Sequence, residues 1–355
     1  MSSQQHAHYR AAIIGLAGIS ADRPAETPQH ALYGPMPRSH AAAYHLNPET
    51  EVVAVCDVRP ELLQAFRQQW QDVWPTLRLY TDYRDMLARE RPELVSVATP
   101  DDLHADMVVD AAQGGARAIL CEKPIATNLA DADRMIAAAE ANGVLLSIEH
   151  TRRWDPKYRK AREMAHSGEL GALRTIALSL YSPRAMLFRN GTHMVDMICF
   201  LAGADAAWVS AELEEGFEGY ATYRGDGGHA PSSEPSVSAY IHFANGVRAQ
   251  LNLVKTRVTS LGFELACDDG LIRVSDLGLS VVKSDSHGES WSSPILAQAY
   301  AAEFQLAAVA EMIHVLEHGG ELVSPARDAR QALEIMLAML RSHQVGNARV
   351  DLPIS

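Results

Sequence analysis

Residues 118–125 (AILCEKPI) are the stretch that decides the fold. The first four are apolar, as expected for a parallel strand buried on both faces, and a charged pair and a proline then end the run. Open α/β sheets bind their ligands at the carboxyl ends of their strands. The stretch therefore predicts that Lys123 presents its ammonium group at a ligand-binding edge, although a lysine at a strand end can also simply be solvated.

Predicted strands and helices alternate on both sides of this stretch. Strands are expected at 9–15, 51–57, 79–81, 94–100, 118–121 and 144–149. Helices are expected at about 39–46, 60–71, 83–89, 101–114 and 129–142. Strict alternation is typical of a doubly wound parallel sheet, and we predict such an α/β domain over residues 8–150.

A weak dinucleotide-binding pattern follows the first strand. Gly15 is the glycine of the tight turn, whereas Ala17 and Ser20 stand where the pattern has its second and third glycines. Taken alone, this segment fits a plain strand-to-loop turn better. Asp57 ends the second strand, where a carboxylate commonly hydrogen-bonds the ribose hydroxyls of adenosine and favours NAD over NADP. Arg59 keeps NADP open as an alternative.

A proline-rich insert, residues 21–37, delays the helix that usually follows the first strand directly. We expect that helix to begin near Ser39. Arg38 and Ser39 at its start could supply the anion-binding site that Ala17 compromises, because backbone N–H groups at a helix N-terminus attract phosphate.

The pattern changes after residue 150. A helix over 154–167 precedes β-rich runs at 173–181, 208–213, 237–243, 247–255, 262–267 and 271–275. Asn245-Gly246 is a strong hairpin signal, and two long helices are expected at about 299–318 and 325–343. We predict an α+β domain with a mainly antiparallel open sheet over residues 151–355. The polar tract 222–235 is expected to be a mobile loop that could act as a lid.

Composition excludes several classes of protein. The 355-residue chain is 47% hydrophobic with a formal net charge of −13 and no basic block, which argues against nucleic acid and anionic membrane surfaces as partners. It has no apolar run of bilayer length and no signal-peptide core near its start, so we expect a cytoplasmic protein. Four widely spaced cysteines indicate reduced, buried thiols, and no metal site is expected.

The order of the motifs resembles the Gfo/Idh/MocA family of glucose–fructose oxidoreductase, inositol dehydrogenase and rhizopine-catabolism proteins. The matching segments are Thr99-Pro100 with His104, Glu122-Lys123-Pro124, residues 150–156 (HTRRWDP) and residues 191–196 (GTHMVD). The likeness is strong over residues 39–156, good around His193 and thin in the antiparallel sheet. The order and spacing of the motifs carry it, since none is decisive alone.

The resemblance implies an N-terminal NAD(P)-binding Rossmann domain and a C-terminal domain whose open sheet often makes oligomer contacts, hence a homodimer or homotetramer. It also implies a cis peptide before Pro124. Lys123 would contact the nicotinamide ribose and a substrate hydroxyl, His193 would be the acid/base, and Asp196 would bind substrate or orient His193. Candidate cofactor contacts are Gly15, Ala17, Gly18, Ile19, Asp57, Arg59, Thr99, Pro100, His104, Glu122 and Lys123.

Lys123, His193 and Asp196 are also candidates for binding substrate, together with two arginines. Arg153 borders the domain junction, where the alternative is a structural ion pair. Arg189 stands where many polyol dehydrogenases of the family carry an acidic residue. Arg184 and Arg189 could grip a carboxylate or phosphate, which would indicate an acidic or phosphorylated substrate, or they could be solvated.

An imidazole titrating near neutrality suits removal of a hydroxyl proton, and a nearby ammonium stabilises a developing alkoxide. We therefore expect an NAD(P)-dependent oxidoreductase that transfers a hydride between nicotinamide and a secondary alcohol or ketone of a sugar, inositol or related polyhydroxy compound. One alternative is a glycoside hydrolase or lyase that uses NAD transiently. The other is a non-catalytic protein that senses NAD or a ligand.

Overall fold

The computed structural model describes residues 8–24, 38–225, 230–297, 302 and 304–354. In chain order the strands and helices are β1 (Tyr9–Ile14), α1 (His40–Leu46), β2 (Thr50–Cys56), α2 (Pro60–Trp70), β3 (Arg78–Tyr80), α3 (Tyr83–Glu90), β4 (Leu94–Val97), α4 (His104–Gln113), β5 (Ala118–Cys121), α5 (Leu129–Asn142), β6 (Leu145–Ile148), α6 (Pro156–His166), β7 (Leu173–Ser182), α7 (Gly191–Ala202), β8 (Ala206–Leu213), β9 (Val237–Phe243), β10 (Arg248–Lys255), β11 (Ser260–Cys267), β12 (Gly270–Ser275), β13 (Gly278–Ser284), β14 (Ser290–Pro294), α8 (Phe304–His318), α9 (Ala326–Gln344) and β15 (Val350–Asp351).

These elements form two compact units. The described residues within 1–126, 130–151 and 300–327 belong to the first unit, and those within 127–129, 152–299 and 328–355 belong to the second. The four cysteines are buried and unpaired. Among the described residues, no helix combines the length and apolarity needed to cross a bilayer.

The first unit is built on the predicted parallel sheet. Its strand order is β3-β2-β1-β4-β5-β6, and every neighbouring pair is parallel. This is the Rossmann order, in which the chain direction across the sheet reverses between β1 and β4 and leaves a crevice at their carboxyl ends. The prediction of a doubly wound sheet is confirmed. A ligand site is therefore expected at the loops that follow β1 and β4.

Helix α8 belongs to the first unit, whereas the sequence interpretation placed it with residues 151–355. It contacts α1, β5 and β6, and the segment after it pairs with β6 through Ile148 N–H donating to Ser324 O at 3.0 Å. Helix α1 has only seven residues. The apolar side of α8, with Val309 and Met312 fully buried, provides cover that so short a helix cannot.

The second unit contains a nine-stranded sheet in the order β14-β13-β12-β11-β7-β10-β9-β8-β15. Every neighbouring pair is antiparallel except β7 with β10, so the predicted, mainly antiparallel sheet is confirmed. Alternate residues of the central strands are buried, as Ile176 and Leu178 of β7 illustrate. The sequence did not predict β13 and β14. The predicted loop 222–235 includes residues 226–229, which lie outside the described residues.

Candidate functional site

At the switch point between β1 and β4, the turn after β1 passes close to the backbone that follows β4. Gly15 follows β1 with a φ of +90°, and a Cβ placed there would lie 2.6 Å from Ala98 O and 3.0 Å from Thr99 Cγ2. Only glycine fits this position, since any side chain would collide with the backbone after β4. The first glycine of the pattern therefore has the steric role that the sequence suggested.

Asp57 ties the loop after β1 to the end of β2. Its buried carboxylate accepts hydrogen bonds from Leu16 N–H and Arg59 N–H, both at 2.9 Å. The Arg59 side chain adds an Nε–H···Oδ1 bond of 3.2 Å and is half exposed. Two predicted cofactor residues are thus brought together beside Gly15, and contact of either one with a ribose stays a prediction.

The loop that carries Ala17, Gly18 and Ile19 is short and open. Residues Gly18–Ser20 form one 3-10 turn, and Ile19 is exposed. Gly18 has a φ of +59°, and a Cβ at this position would have open space for 4 Å around it. The loop therefore leaves room for a ligand beside the end of β1.

The helix after the insert begins one residue after Ser39, whose Oγ accepts a hydrogen bond from Ala42 N–H at 3.0 Å. Arg38 lies with its guanidinium 6.0 Å from the centre of the Phe304 ring. The predicted anion site at Arg38 and Ser39 stays a prediction.

The Glu-Lys-Pro segment lies at the carboxyl end of β5, and the Lys123–Pro124 peptide is cis, as the resemblance implied. His104 connects this segment to the loop after β4. Its Nδ1 lies 3.0 Å from Pro124 O and its Nε2 lies 3.1 Å from Thr99 O. Through these contacts, the buried His104 side chain connects the backbone next to Lys123 to the backbone after β4.

Glu122 belongs to a buried polar network that the sequence did not reveal. Its Oε1 lies 3.2 Å from His40 Nε2, and His40 Nδ1 lies 2.9 Å from Ser96 Oγ, which also contacts Tyr44 OH at 2.9 Å. Burial alone would raise the pKa of Glu122, but the hydrogen bond from His40 and the nearby charge of Lys123 hold it below its usual value. Glu122 is therefore a carboxylate beside Lys123.

A second carboxyl group, Glu149, lies at the neighbouring strand end. Glu149 N–H donates to Cys121 O at 2.9 Å, which extends the pairing of β6 with β5 and places Glu149 opposite Glu122. It is 1% exposed, and neither side-chain oxygen has a hydrogen-bond partner among the described residues. Burial and the charge of Glu122 raise its pKa well above the usual value, against the opposing effect of the Lys123 charge. In the sequence, this carboxyl group was indicated only by its place as the last residue of the predicted strand 144–149.

In the second unit, Arg153 and Asp196 form a buried ion pair. The guanidinium donates to both carboxylate oxygens of Asp196 at 2.8 and 2.9 Å and to Asp328 Oδ2 at 2.6 Å. Arg153 and Asp196 are each 1% exposed. Burial would lower the pKa of Arg153, but the two carboxylates raise it above its usual value. This is the structural ion pair that the sequence left open for Arg153, and substrate contact by either residue stays a prediction.

His193 and Arg189 lie on either side of the start of α7. His193 is in its first turn, one turn before Asp196, and is partly buried. The backbone N–H of Arg189 donates to Glu234 Oε1 at 2.9 Å. Glu234 was not identified from the sequence, because it lies in the polar tract that we interpreted as a mobile loop. Among the described residues, no cluster of three or more His, Cys, Asp or Glu side chains could hold a metal ion.

Comparison with known protein families places both units. Residues 33–150 match the oxidoreductase family with an NAD-binding Rossmann fold, and residues 158–273 match the GFO/IDH/MocA C-terminal domain. The chain belongs to the GFO/IDH/MocA family. Its first unit therefore contains an NAD-binding Rossmann domain of an oxidoreductase family, as the motifs suggested.

Individual relatives support the same family. The chain is 34% identical over 181 residues to D-apiose dehydrogenase of Paraburkholderia graminis, covering 47% of each chain. It is 28% identical over 217 residues to 1-carboxy-3-chloro-3,4-dihydroxycyclohexa-1,5-diene dehydrogenase of Comamonas testosteroni, covering 57% of this chain and 51% of that one. The chain thus spans about half the length of these curated relatives in the matched regions.

A solved structure extends the likeness of the fold to nearly the whole chain. The oxidoreductase from Agrobacterium radiobacter, in complex with NAD+, L-tartaric acid and magnesium, matches with a TM-score of 0.73 and 19% identity. The match covers 97% of this chain and 98% of the other. At this level of identity the comparison establishes the common fold.

Proposed function

We propose that this protein is an NAD(P)-dependent oxidoreductase that acts on a secondary alcohol or ketone of a sugar, inositol or related polyhydroxy compound. One observation carries the proposal: Lys123 follows β5 at the carboxyl edge of a Rossmann sheet whose β1–β4 crevice admits only glycine at position 15. Such an edge is where this fold binds dinucleotides, and this supports our assignment of the Lys123 ammonium group to the reacting end of the cofactor.

The residues at the crevice fit a dinucleotide. The absence of a side chain at Gly15 permits the tight turn after β1, and Gly18 and Ile19 leave the loop open. The Asp57 carboxylate is held by backbone N–H groups at the end of β2, and we assign it to the ribose hydroxyls, which favours NAD, with NADP possible beside Arg59. The bound nicotinamide supplies the hydride acceptor or donor for the reaction.

The chain's own residues then have separable tasks. Lys123, beside the Glu122 carboxylate, stabilises negative charge on the substrate oxygen. His193 takes or returns the hydroxyl proton, a transfer suited to an imidazole at neutral pH. Asp196 has both oxygens engaged by Arg153, so orienting the helix that carries His193 suits it better than direct substrate contact.

The relatives indicate the breadth of substrate to be expected. One is named for D-apiose and another for a carboxylated cyclic diol, and the Agrobacterium radiobacter structure was solved with L-tartaric acid. Vicinal hydroxyl groups are common to all three compounds. We infer a small polyhydroxy substrate for this chain, a cytoplasmic location and a homo-oligomeric state, dimer or tetramer.

The test is a screen of sugars, inositols and sugar acids with NAD and NADP, followed by absorbance at 340 nm. Lys123→Ala and His193→Ala should each lower kcat by roughly 10²-fold or more while NAD binding persists. Lys283→Ala and His287→Ala, at exposed positions of the second unit, are matched controls and should retain turnover.

Full turnover in Lys123→Ala or His193→Ala would remove the role assigned to that residue. Cleavage of aryl glycosides without net NADH formation would favour the hydrolase or lyase alternative. Binding of NAD with neither activity would indicate a sensor.

A further inference from the structure

Four buried polar side chains, which we call the His40 network, connect α1 and β4 to the segment that carries Lys123. Ser96 is the single polar residue of β4 and is fully buried between β1 and β5. His40 and Tyr44 lie one turn apart on α1, and His40 Nδ1 and Tyr44 OH each lie 2.9 Å from Ser96 Oγ. His40 Nε2 lies 3.2 Å from Glu122 Oε1. The network therefore ends at the carboxyl group next to Lys123.

The protons available in the His40 network fix the direction of its hydrogen bonds. The Tyr44 O–H donates to Ser96 Oγ, and the Ser96 O–H donates to His40 Nδ1. The His40 Nε2–H is then left to donate to Glu122. In the reverse direction His40 donates to Ser96, and the Tyr44 O–H has no acceptor among the residues that the structure describes. His40 is therefore neutral with its proton on Nε2, and Glu122 accepts as a carboxylate.

The Glu122 carboxylate depends on this donor because it is only 8% exposed. Burial raises the pKa of a carboxyl group, and the hydrogen bond from His40 opposes that effect at Glu122. The charge of Lys123 lowers the pKa of Glu122 and also that of Glu149, so the ammonium group acts on both strand ends. The other titratable groups around this segment lie after β4 and are Asp101 and His104.

The far end of the His40 network is closed to solvent. Tyr44 is fully buried, and burial raises the pKa of its hydroxyl. A proton entering the network would have no exit to water at Tyr44, so the network holds a fixed charge and does not conduct protons. Apolar side chains would fasten α1 to the sheet without the desolvation cost of buried polar groups. An electrostatic task at Glu122 accounts for their presence.

We propose that His40 is a positioning residue whose Nε2–H keeps Glu122 ionised, and that the Glu122 carboxylate in turn keeps Lys123 in the ammonium form. The inference rests on the proposed function, because it explains how Lys123 is held ready for the role assigned to it there. A carboxylate beside an ammonium group favours the charged form of both. An uncharged amine in the same place would not stabilise negative charge on a substrate oxygen.

The first measurement compares two amides at position 40 by urea unfolding over a pH series. His40→Gln is long enough to donate to Glu122, whereas His40→Asn is one methylene shorter and reaches only towards Ser96. Neither amide titrates, so position 40 adds no pH dependence of its own. Without a donor, burial should raise the pKa of Glu122 above its usual 4.5 in His40→Asn.

The folded His40→Asn variant then binds more protons than its unfolded state, and its stability falls as pH rises. The stability advantage of His40→Gln over His40→Asn should therefore grow from about pH 4 to about pH 8. His40→Phe keeps a ring of similar size but lacks both hydrogen bonds, and it should follow His40→Asn.

The second measurement examines Lys123 directly. Trace labelling with acetic anhydride over a pH series, analysed by mass spectrometry, gives the pKa of an individual lysine. Lys283, at an exposed position of β13, is the internal reference. Glu122→Gln should lower the pKa of Lys123 by about one unit or more, because an opposite charge beside the ammonium group is lost.

Glu90→Gln is the matched control for the labelling experiment. Glu90 is also a buried carboxyl group of the first unit and accepts a hydrogen bond from Tyr80 OH. Its ion pairs with Arg10 and Arg78 place it near the starts of β1 and β3, at the opposite edge of the sheet from Glu122. Glu90→Gln should leave the pKa of Lys123 unchanged.

Two results would overturn the proposal. A stability difference between His40→Gln and His40→Asn that is constant with pH would mean that His40 does not control the charge of Glu122. An unchanged pKa of Lys123 in Glu122→Gln would mean that the carboxylate does not control the lysine. Neither measurement requires turnover, so NAD-dependent turnover together with either result would leave the proposed function intact. Both expected results without NAD-dependent turnover of any compound would support the His40 network and reject the proposed function.

Discussion

Glu149 is a carboxyl group that the protein has buried without a hydrogen-bond partner among its described residues. Such a group is tolerated more easily as a neutral acid than as an ion, because an isolated buried charge is far more costly. Its position opposite the Glu122 carboxylate adds like-charge repulsion. The pKa values of the two carboxyl groups at neighbouring strand ends are therefore shifted in opposite directions, that of Glu122 downward and that of Glu149 upward.

This difference predicts a pH-dependent gain in stability for Glu149→Gln. The folded-state pKa of Glu149 lies above its usual value of 4.5, so above that pH the folded state binds more protons than the unfolded state and stability falls as pH rises. Glutamine does not have this penalty. The variant should gain stability over the parent between about pH 5 and pH 8, as measured by urea unfolding.

Glu321→Gln, at an exposed position of the same unit, is the control and should show no such trend. A Glu149→Gln variant whose advantage is the same at both ends of that pH range would mean that Glu149 is already ionised in the folded protein.

The Arg153–Asp196 pair makes a second residue-scale prediction. Removing one member leaves the other charge buried, which typically costs about 3–5 kcal/mol. Arg153→Met should therefore lower the free energy of unfolding by that order. The double variant Arg153→Met/Asp196→Leu should recover part of the loss, because Asp328 is half exposed and can be solvated. Denaturant unfolding measures both.

Arg174→Met is the matched control, since its ion pair with Asp268 is exposed and should be worth roughly 1 kcal/mol or less. If the double variant is less stable than Arg153→Met by the full cost of Asp196→Leu alone, the two side chains do not act as a pair.

At the scale of elements, the short helix α1 depends on its N-terminal cap. Seven residues give few intrahelical hydrogen bonds, so capping and packing decide whether the helix forms. The Ser39 Oγ accepts from Ala42 N–H and donates to Asp22 O, which joins the helix to the residues before the insert. His40, the first helical residue, contacts Glu122, so α1 also supports the strand end that carries Lys123.

Ser39→Ala should therefore lower the free energy of unfolding by about 1 kcal/mol, the usual cost of losing an N-cap side chain. Ser39→Thr keeps the accepting oxygen and should cost less. Thermal or urea unfolding distinguishes them. Equal losses in the two variants would show that the size of the side chain, rather than the cap hydrogen bond, matters at this buried position.

The predictability of each element depended on how local its signal is. Helix α5 and strand β9 have the bounds that periodicity predicted, because each buries one face and ends at a glycine or turn. Strand β14 was missed, since its residues are almost all exposed and show no apolar alternation. The membership of α8 was missed for another reason. The apolar pattern of a helix shows that it packs against something, but it does not show which of two sheets it packs against.

Residues of the candidate site also differ in whether a local sequence signal identifies them. Gly15, Asp57 and Lys123 could be found from sequence because each stands at a recognisable strand end. The Arg153–Asp196 pair joins residues 43 positions apart, and Glu234 reaches Phe188 across 46 positions. Contacts between such distant segments are decided by tertiary packing, which no periodicity records.

At the scale of the molecule, the first unit is built from segments that are far apart in the sequence. Residues up to 126 and from 130 to 151 form most of it, and residues 300–327 return to it after the second sheet has been built. The Rossmann unit of this chain is therefore not a contiguous domain of residues 8–150, and its stability should depend on a helix encoded far downstream. Two methionines, one in α8 and one in α9, provide a matched test.

Met312 of α8 belongs to the first unit and Met339 of α9 to the second, and both side chains are fully buried. Replacing either with alanine should cost about 2–5 kcal/mol through the cavity that it leaves. Hydrogen exchange followed by mass spectrometry then locates the loss. Met312→Ala should accelerate exchange in β5 and β6 more than in β10, and Met339→Ala should do the reverse. If Met312→Ala instead accelerates exchange in β10 and leaves β5 and β6 protected, α8 stabilises the second sheet. Residues 300–327 would then contribute nothing to the stability of the first unit.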